Sequence, residues 1–242
     1  MKLTCLGING PFPATDGATS GYLVSHNDTR LQLDMGSGTL AALCRYTAPE
    51  QLTAVLLSHW HYDHCSDLLP LIYRMESLMV QGGEPLHIYA PLDKRSLVRQ
   101  ALLASPAFCL HDVQSGDCLQ LGDVQVQVGV ARHPVPGVMY RLTADGRSLC
   151  YTGDTNDVAG MVDFARDCDL LLADGLFPEA AWTEGKPHLS AAHCAQLAQD
   201  AGARQLVITH LNPTIDPETL LKEARAIRTD SRLARIGEQY EV

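Results

Sequence analysis

Apolar and polar positions along the chain change period several times, and each change marks an element. Val124–Ala131 reads VQVQVGVA, the alternation of a half-buried strand. Ala54–Ser58 (AVLLS) and Asp169–Asp174 (DLLLAD) are short, nearly continuous apolar runs, the pattern of strands covered on both faces. Lys2–Leu6, Gly21–Ser25, Leu31–Asp34, Leu86–Ala90 and Gln205–Thr209 are further predicted strands. Val138–Thr143 and Ser148–Tyr151 flank ADGR, a hairpin turn with Asp145–Gly146 at its tip. Amphipathic stretches predict helices over Thr39–Tyr46, Asp67–Val80, Lys94–Ala104, Val158–Arg166, Ser190–Ala201 and Pro217–Arg228. The Gly/Pro-rich stretch Gly7–Gly17 predicts a loop after the first strand. Strands and helices in both halves predict layered sheets with helices outside, of α/β or α+β class.

With 242 residues, the chain suits one sizeable core, so a single domain over residues 1–242 is expected. No apolar run reaches the length of a bilayer span, and no membrane partner is expected. The opening MKLTCLGINGPFP is broken early by glycine and proline, which is not a signal-peptide pattern; the expected location is cytoplasmic. The eight cysteines contain no CxxC pair and are expected to be mostly buried free thiols. A formal net charge of −10 disfavours a large polyanionic partner, although bound cations would change the field locally.

The segment with chemistry is SHWHYDHC, residues 58–65. It sets His59, His61, Asp63 and His64 within six positions. Imidazoles and carboxylates at that density are expensive as structural residues, because each needs polar partners when buried. They are the nitrogen and oxygen ligands that divalent zinc takes. In a loop leaving a strand, His59 and His61 can point one way while Asp63 and His64 turn toward a second centre.

HxHxDH after an apolar strand resembles the signature of the metallo-β-lactamase superfamily. The family's other ligand positions follow in order: His133 after a predicted strand, Asp154 within YTGDT, and His210 at the end of LVITH. The resemblance implies a four-layer αββα sandwich of α+β class. It also implies two divalent metal ions; zinc is expected, and manganese is the alternative because nitrogen and oxygen donors serve both. His59, His61 and His133 would hold one ion; Asp63, His64 and His210 would hold the other; Asp154 would bridge them. Two ions so placed lower the pKa of a water held between them.

LGINGPFP, ATSGYLV, LQLDMGSGT and HPVPGVMYRL look like the ribonuclease Z and small phosphodiesterase branch. LLADGLFPE and KPHLSAAHCAQLA resemble that branch's acidic residue after a strand and its His element. On that match Asp174 and His188 form an acid–histidine pair near the metals. His188 would stabilise the transition state or protonate the leaving oxygen. Asp63, His188 and Asp174 are thus the candidates for a part in the reaction itself. Asp34, in LDMG, resembles a position that supports the metal loop from behind. Cys65 is expected to be a packed thiol. His26, His87 and His111 have no motif support and are expected at the surface or at strand ends; His193 is not expected to be a ligand. Thr19 and Ser20 could reach a phosphate oxygen or serve an ordinary loop role. Trp60 and Tyr62 are expected to pack the loop or line the pocket.

Ribonuclease Z proper carries an arm that grips transfer RNA between the positions matched by His133 and Asp154. Only the hairpin of residues 134–153 stands there in this chain. The CxxC-type structural zinc site of the phosphonate-pathway cyclic phosphate phosphodiesterase is missing as well. The expected substrate is a small or cyclic phosphodiester, with a carbonyl ester (thioesterase, lactonase or β-lactamase chemistry) as the alternative and transfer-RNA 3′ processing as the weaker one. A non-catalytic metal-binding relative is disfavoured by the intact ligand set. A homodimer is the branch's implied assembly.

Overall fold

The apolar runs sort into two sheets wired in the same way. A computed structural model describes residues 1–242. Strands β1 (Lys2–Gly7), β2 (Gly21–His26), β3 (Thr29–Met35), β4 (Ala54–Leu56), β5 (Leu86–Pro91) and β6 (Phe108–Val113) belong to the first sheet. Strands β7 (Cys118–Leu121), β8 (Val124–Val130), β9 (Val138–Ala144), β10 (Arg147–Tyr151), β11 (Leu170–Asp174), β12 (Gln205–Thr209) and β13 (Arg232–Leu233) form the second. The last strand, β14 (Gln239–Glu241), returns to pair with β1 and makes the first sheet seven-stranded as well. Each sheet begins as an antiparallel meander, β1–β3 or β7–β10, and continues with parallel strands, β4–β6 or β11–β13.

Three apolar layers follow from side-chain alternation. Leu3, Val24, Leu33 and Leu56 of the first sheet meet Val126, Tyr140, Leu149 and Leu172 of the second in the central layer. Val124, Val126 and Val128 enter that layer while Gln125 and Gln127 stay exposed, as the alternation predicts. The other face of the first sheet packs under α1 (Thr39–Leu43), α2 (Tyr62–Cys65), α3 (Leu68–Met79) and α4 (Leu97–Leu103). The other face of the second packs under α5 (Met161–Ala165), α6 (Ala191–Asp200) and α7 (Pro217–Ile227). The result is the expected αββα sandwich. No helix is long and apolar enough to cross a membrane.

Three helices are shorter than their apolar spacing suggests. Ser96 caps α4 by accepting from the Arg99 N–H at 3.1 Å, which starts that helix at Leu97 rather than Lys94. Gly160, at φ +87°, delays α5 to Met161. Helix α1 ends at Leu43, and the next residues close as turns. Strands β6, β7, β13 and β14 are absent from the pattern reading. β6 (FCLHDV) and β7 (CLQL) are sheet-edge strands with mixed exposure, so neither alternation nor a continuous apolar run marks them.

Strands β8, β10, β11 and β12 all run in one direction, so their C-terminal ends share one edge of the second sheet. The chain leaving β4 meets that edge: the Val138 N–H donates to the Ser58 carbonyl at 2.9 Å.

Candidate metal centre

Five strand ends deliver the predicted polar residues to this edge: His59 follows β4, His133 follows β8, Asp154 follows β10, Asp174 ends β11, and His210 follows β12. After extended His61, the single turn α2 swings Asp63 and His64 away from His59 and His61. The two halves of SHWHYDHC therefore face different clusters. His59, His61, His133 and Asp154 form one, and Asp63, His64, His210 and Asp154 the other, with the ligand atoms within each lying inside 4.8 Å of one another. His61 Nδ1 lies 3.0 Å from both His59 Nε2 and His133 Nε2. Asp154 divides its oxygens: Oδ2 is 3.6 Å from His59 Nε2, while Oδ1 is 3.1 Å from His64 Nε2 and 3.5 Å from His210 Nε2. Asp63 Oδ2 lies 3.2 Å from His210 Nε2.

The backbone is shaped to allow this approach. Gly153 sits at φ +54°, and a Cβ there would come within 2.5 Å of Ser58 Cβ. Gly10 faces the His210 ring so closely that a Cβ would lie 2.0 Å from Nε2. The imidazoles are also held from behind, which fixes ring orientation and ligand basicity. His64 Nδ1 contacts Asp34 Oδ2 at 2.7 Å, and His133 Nδ1 contacts the Pro187 carbonyl at 3.1 Å. Ser58 Oγ lies 3.0 Å from His59 Nδ1; Asp174 Oδ1 is 3.3 Å from His210 Nδ1 but outside hydrogen-bond geometry. Asp34, fully buried at φ +50°, also accepts from the Ser58 N–H and hydroxyl at 2.7 Å and from the Tyr151 hydroxyl at 2.5 Å.

Electrostatics separate the clusters. Burial holds the His59 pKa well below its usual value, aided by the neighbouring His64, and burial also lowers those of His61 and His133. These rings are neutral and present lone pairs. Burial opposes charge on His64 and His210 too, but Asp154 and its fellow carboxylates outweigh it. The His64 pKa stands well above the usual value and that of His210 at about 10. No Lys or Arg pairs with Asp34, Asp63, Asp154 or Asp174; their ion-pair partners are all histidines. His64 Nε2 and Asp154 Oδ1 are buried without a hydrogen-bond partner of good geometry. Buried polar atoms left that way are costly, and a cation between them would take up both. Nitrogen and oxygen donors in two groups sharing one carboxylate fit divalent ions of the zinc or manganese type.

His188 is buried rather than a surface loop residue. Its Nδ1 lies 2.7 Å from Asp174 Oδ2, and its ring stacks on His210 at 5.0 Å and meets His133 edge-on at 5.3 Å. It thus contacts a member of each cluster. Cys65 is packed, its thiol donating to the His61 carbonyl at 3.1 Å, and all eight cysteines are free, five of them buried. Thr19 and Ser20 are buried, away from any open surface. Trp60 packs the loop, donating from Nε1 to the Pro91 carbonyl at 2.7 Å. Tyr62 is 60% exposed and borders, with His61, Arg95 and Pro134, a cavity of about 390 Å³ beside the centre. His26 sits near Asp145, and His193 lies in the first turn of α6, its N–H donating to the capping Ser190 hydroxyl and its ring near Glu179; neither reaches the clusters. His87 and His111 meet each other across β5 and β6, a contact that no local motif signals.

A strand-end edge carrying two His/Asp clusters around a shared carboxylate places the chain among metal-binding αββα sandwich proteins. The beta-lactamase superfamily domain matches residues 29–211. The chain is 31% identical over 233 residues to a probable metallo-hydrolase, YhfI, of Bacillus subtilis, covering 94% of this chain and 93% of that one. The crystal structure of YhfI superposes with a TM-score of 0.92 at 30% identity, over 100% of this chain and 98% of that one. Ribonuclease Z of Haloferax volcanii is 26% identical over 303 aligned positions, covering 100% of this chain and 95% of that protein. A diphosphatase of the PhnP family shares the fold, with a TM-score of 0.79 at 17% identity over 100% of this chain and 97% of that one. The chain belongs to the metallo-β-lactamase superfamily, and within it resembles the ribonuclease Z-like branch. Its members are hydrolytic enzymes that bind divalent metal ions.

Proposed function

We propose that this chain is a dinuclear, metal-dependent phosphodiesterase acting on small or cyclic phosphodiesters. The observation that carries this reading is the shared Asp154, one oxygen toward each cluster, beside the buried His188–Asp174 pair. His59, His61 and His133 would hold one ion, Asp63, His64 and His210 the other, with Asp154 between them and zinc the favoured metal. When bound, two such ions generate a nucleophile from water at neutral pH and neutralise charge on the attacked group.

The chain's own residues then do the rest. Asp174 engages His188 Nδ1, which orients the ring and leaves Nε2 to exchange a proton with the leaving oxygen. A phosphodiester with an alkoxide leaving group needs that proton more than an activated carbonyl ester does. The full-length match to a protein named as a ribonuclease also favours phosphodiester over carbonyl ester.

Substrate size follows from what surrounds the centre. The cavity beside His61 has about 390 Å³, room for a small ester. Long nucleic acids need Lys and Arg spread along their phosphates. Here Lys94, Arg95 and Arg99 form one short basic group, and Lys222, Arg225, Arg228, Arg232 and Arg235 a second around the C-terminal end of α7; Arg99 pairs with Asp112 at 2.9 Å, Arg95 with Asp93 at 3.5 Å and Arg228 with Asp230 at 2.7 Å. Between His133 and Asp154 stand only residues 134–137, the β9–β10 hairpin and its exit, with no arm. The 303 aligned positions with the haloarchaeal ribonuclease Z, against 242 residues here, also support a chain trimmed of inserted segments.

The test is a side-by-side assay of bis-p-nitrophenyl phosphate, cyclic nucleotides, a thioester, a lactam and precursor transfer RNA at physiological salt. Turnover of the small phosphodiesters above the rest is expected. Site-specific cleavage of the precursor without turnover of the small esters, or thioester or lactam hydrolysis without phosphodiester turnover, would overturn it.

A further inference from the structure

We propose that His87, Cys109 and His111 form a third metal site, at the open edge of the first sheet, that takes a single zinc-type cation. Strands β5 and β6 are parallel, and their register sets His87 opposite Cys109 and Tyr89 opposite His111. Leu86, Ile88, Ala90 and Phe108 point into the layer under the helices. Alternation therefore sends His87, Cys109 and His111 to the opposite face, the face on which Tyr89 packs against the central layer. β6 is the edge strand, so the second sheet leaves this corner uncovered; His87 is exposed and the other two are half-buried.

Donor geometry suits one ion. The donor atoms of the three residues all lie within 4.8 Å of one another. A tetrahedral zinc site with Zn–N near 2.0–2.1 Å and Zn–S near 2.3 Å has ligand–ligand edges of roughly 3.3–3.6 Å. His87 Nδ1 and His111 Nε2 are 2.8 Å apart, so small rotations of half-exposed rings open the required gap. The Tyr89 ring stacks on His111 at 4.4 Å and holds it in place. Neither histidine is paired with a carboxylate; their side-chain polar contact is with each other. Two imidazoles and a thiol select a borderline cation such as zinc over magnesium or calcium, the thiol releasing its proton to solvent on binding. Three protein donors leave a fourth position for water. The site is separate from the main centre. Ile88 pairs with Val55 within β4, whereas His59 lies in the loop beyond the end of that strand, and no donor is shared between the two sites.

Sulfur makes the test selective. Every donor in the main centre is nitrogen or oxygen, whereas this site includes a thiolate. Titration of metal-free full-length protein with cobalt(II) is expected to produce a sulfur-to-cobalt charge-transfer band. Cys109→Ser should abolish that band, His87→Gln should shift it to higher cobalt concentration, and Asp154→Ala should keep it. Absence of the band in wild-type protein at saturating cobalt, or its survival in Cys109→Ser, would overturn the proposal. Neither result depends on which ester the main centre hydrolyses.

Discussion

The two halves of the molecule share a plan, a meander followed by parallel strands, yet supply the centre in opposite ways. The first half concentrates its donors: His59, His61, Asp63 and His64 all come from the one loop after β4. The second half disperses them, one each from the ends of β8, β10 and β12, with Asp174 and His188 behind. A contiguous loop can be shaped by its own turn and by one buried anchor, here Asp34. Dispersed donors are placed by sheet register, which is rigid but gives each residue its own strand. The difference teaches where each half is vulnerable: the first half through its anchor, the second half through individual ligands.

Asp154→Ala is the severest break in the dispersed half, because its two oxygens serve both clusters. Metal content measured on the purified variant is expected to fall well below that of the wild type, and phosphodiester turnover to background. Retention of stoichiometric metal with intact activity would remove the shared-carboxylate reading altogether.

His188→Ala comes next and separates chemistry from metal binding. Turnover of a phosphodiester with a poor leaving group should drop about 10²–10⁴-fold, the range of a positioned acid or base. Metal content should not change, and an activated p-nitrophenyl ester should lose much less. Equal losses on both esters would argue that His188 only positions His210, on which it stacks.

Asp34→Asn probes the concentrated half. Asp34 accepts from Ser58 and Tyr151 and contacts His64 Nδ1, so the amide cannot satisfy all of them. Supporting groups of this kind are worth about 10–100-fold in metal affinity. A chelator competition should show that weakening, with activity restored by added metal. Unchanged affinity would mean that the turn α2 alone sets the loop.

The same contrast explains what could be read from the sequence. SHWHYDHC is legible because its four donors are contiguous, and no fold is needed to bring them together. His133, Asp154 and His210 are single residues after strands, and only the order of a family's motifs makes them stand out. His188 and Asp174 are 14 residues apart and read as a pair only through that family; the structure adds that His188 is buried against both clusters. His87, Cys109 and His111 escape any linear reading, since 21 residues, a helix among them, separate the first two and only the β5–β6 register joins them. β6 itself escapes for a related reason: its half-exposed edge gives no clear period.

The smallest expected effect tests whether the halves are coupled through Asp34. Tyr151 lies on β10, in the dispersed half, and its hydroxyl donates to Asp34 Oδ2 in the concentrated half at 2.5 Å. Tyr151→Phe removes that donor and keeps the ring, which packs against Tyr22 at 5.3 Å. Asp34 retains Ser58 and His64, so the metal loop keeps its anchor. The loss should appear mainly as stability, about 1.5–3 kcal/mol for a hydrogen bond to a charged group, read from a denaturant melt. Metal affinity should fall by less than in Asp34→Asn. An affinity loss as large as that of Asp34→Asn would show that the tyrosine, rather than the carboxylate's own loop contacts, holds the anchor. The two halves would then act as one unit at the centre.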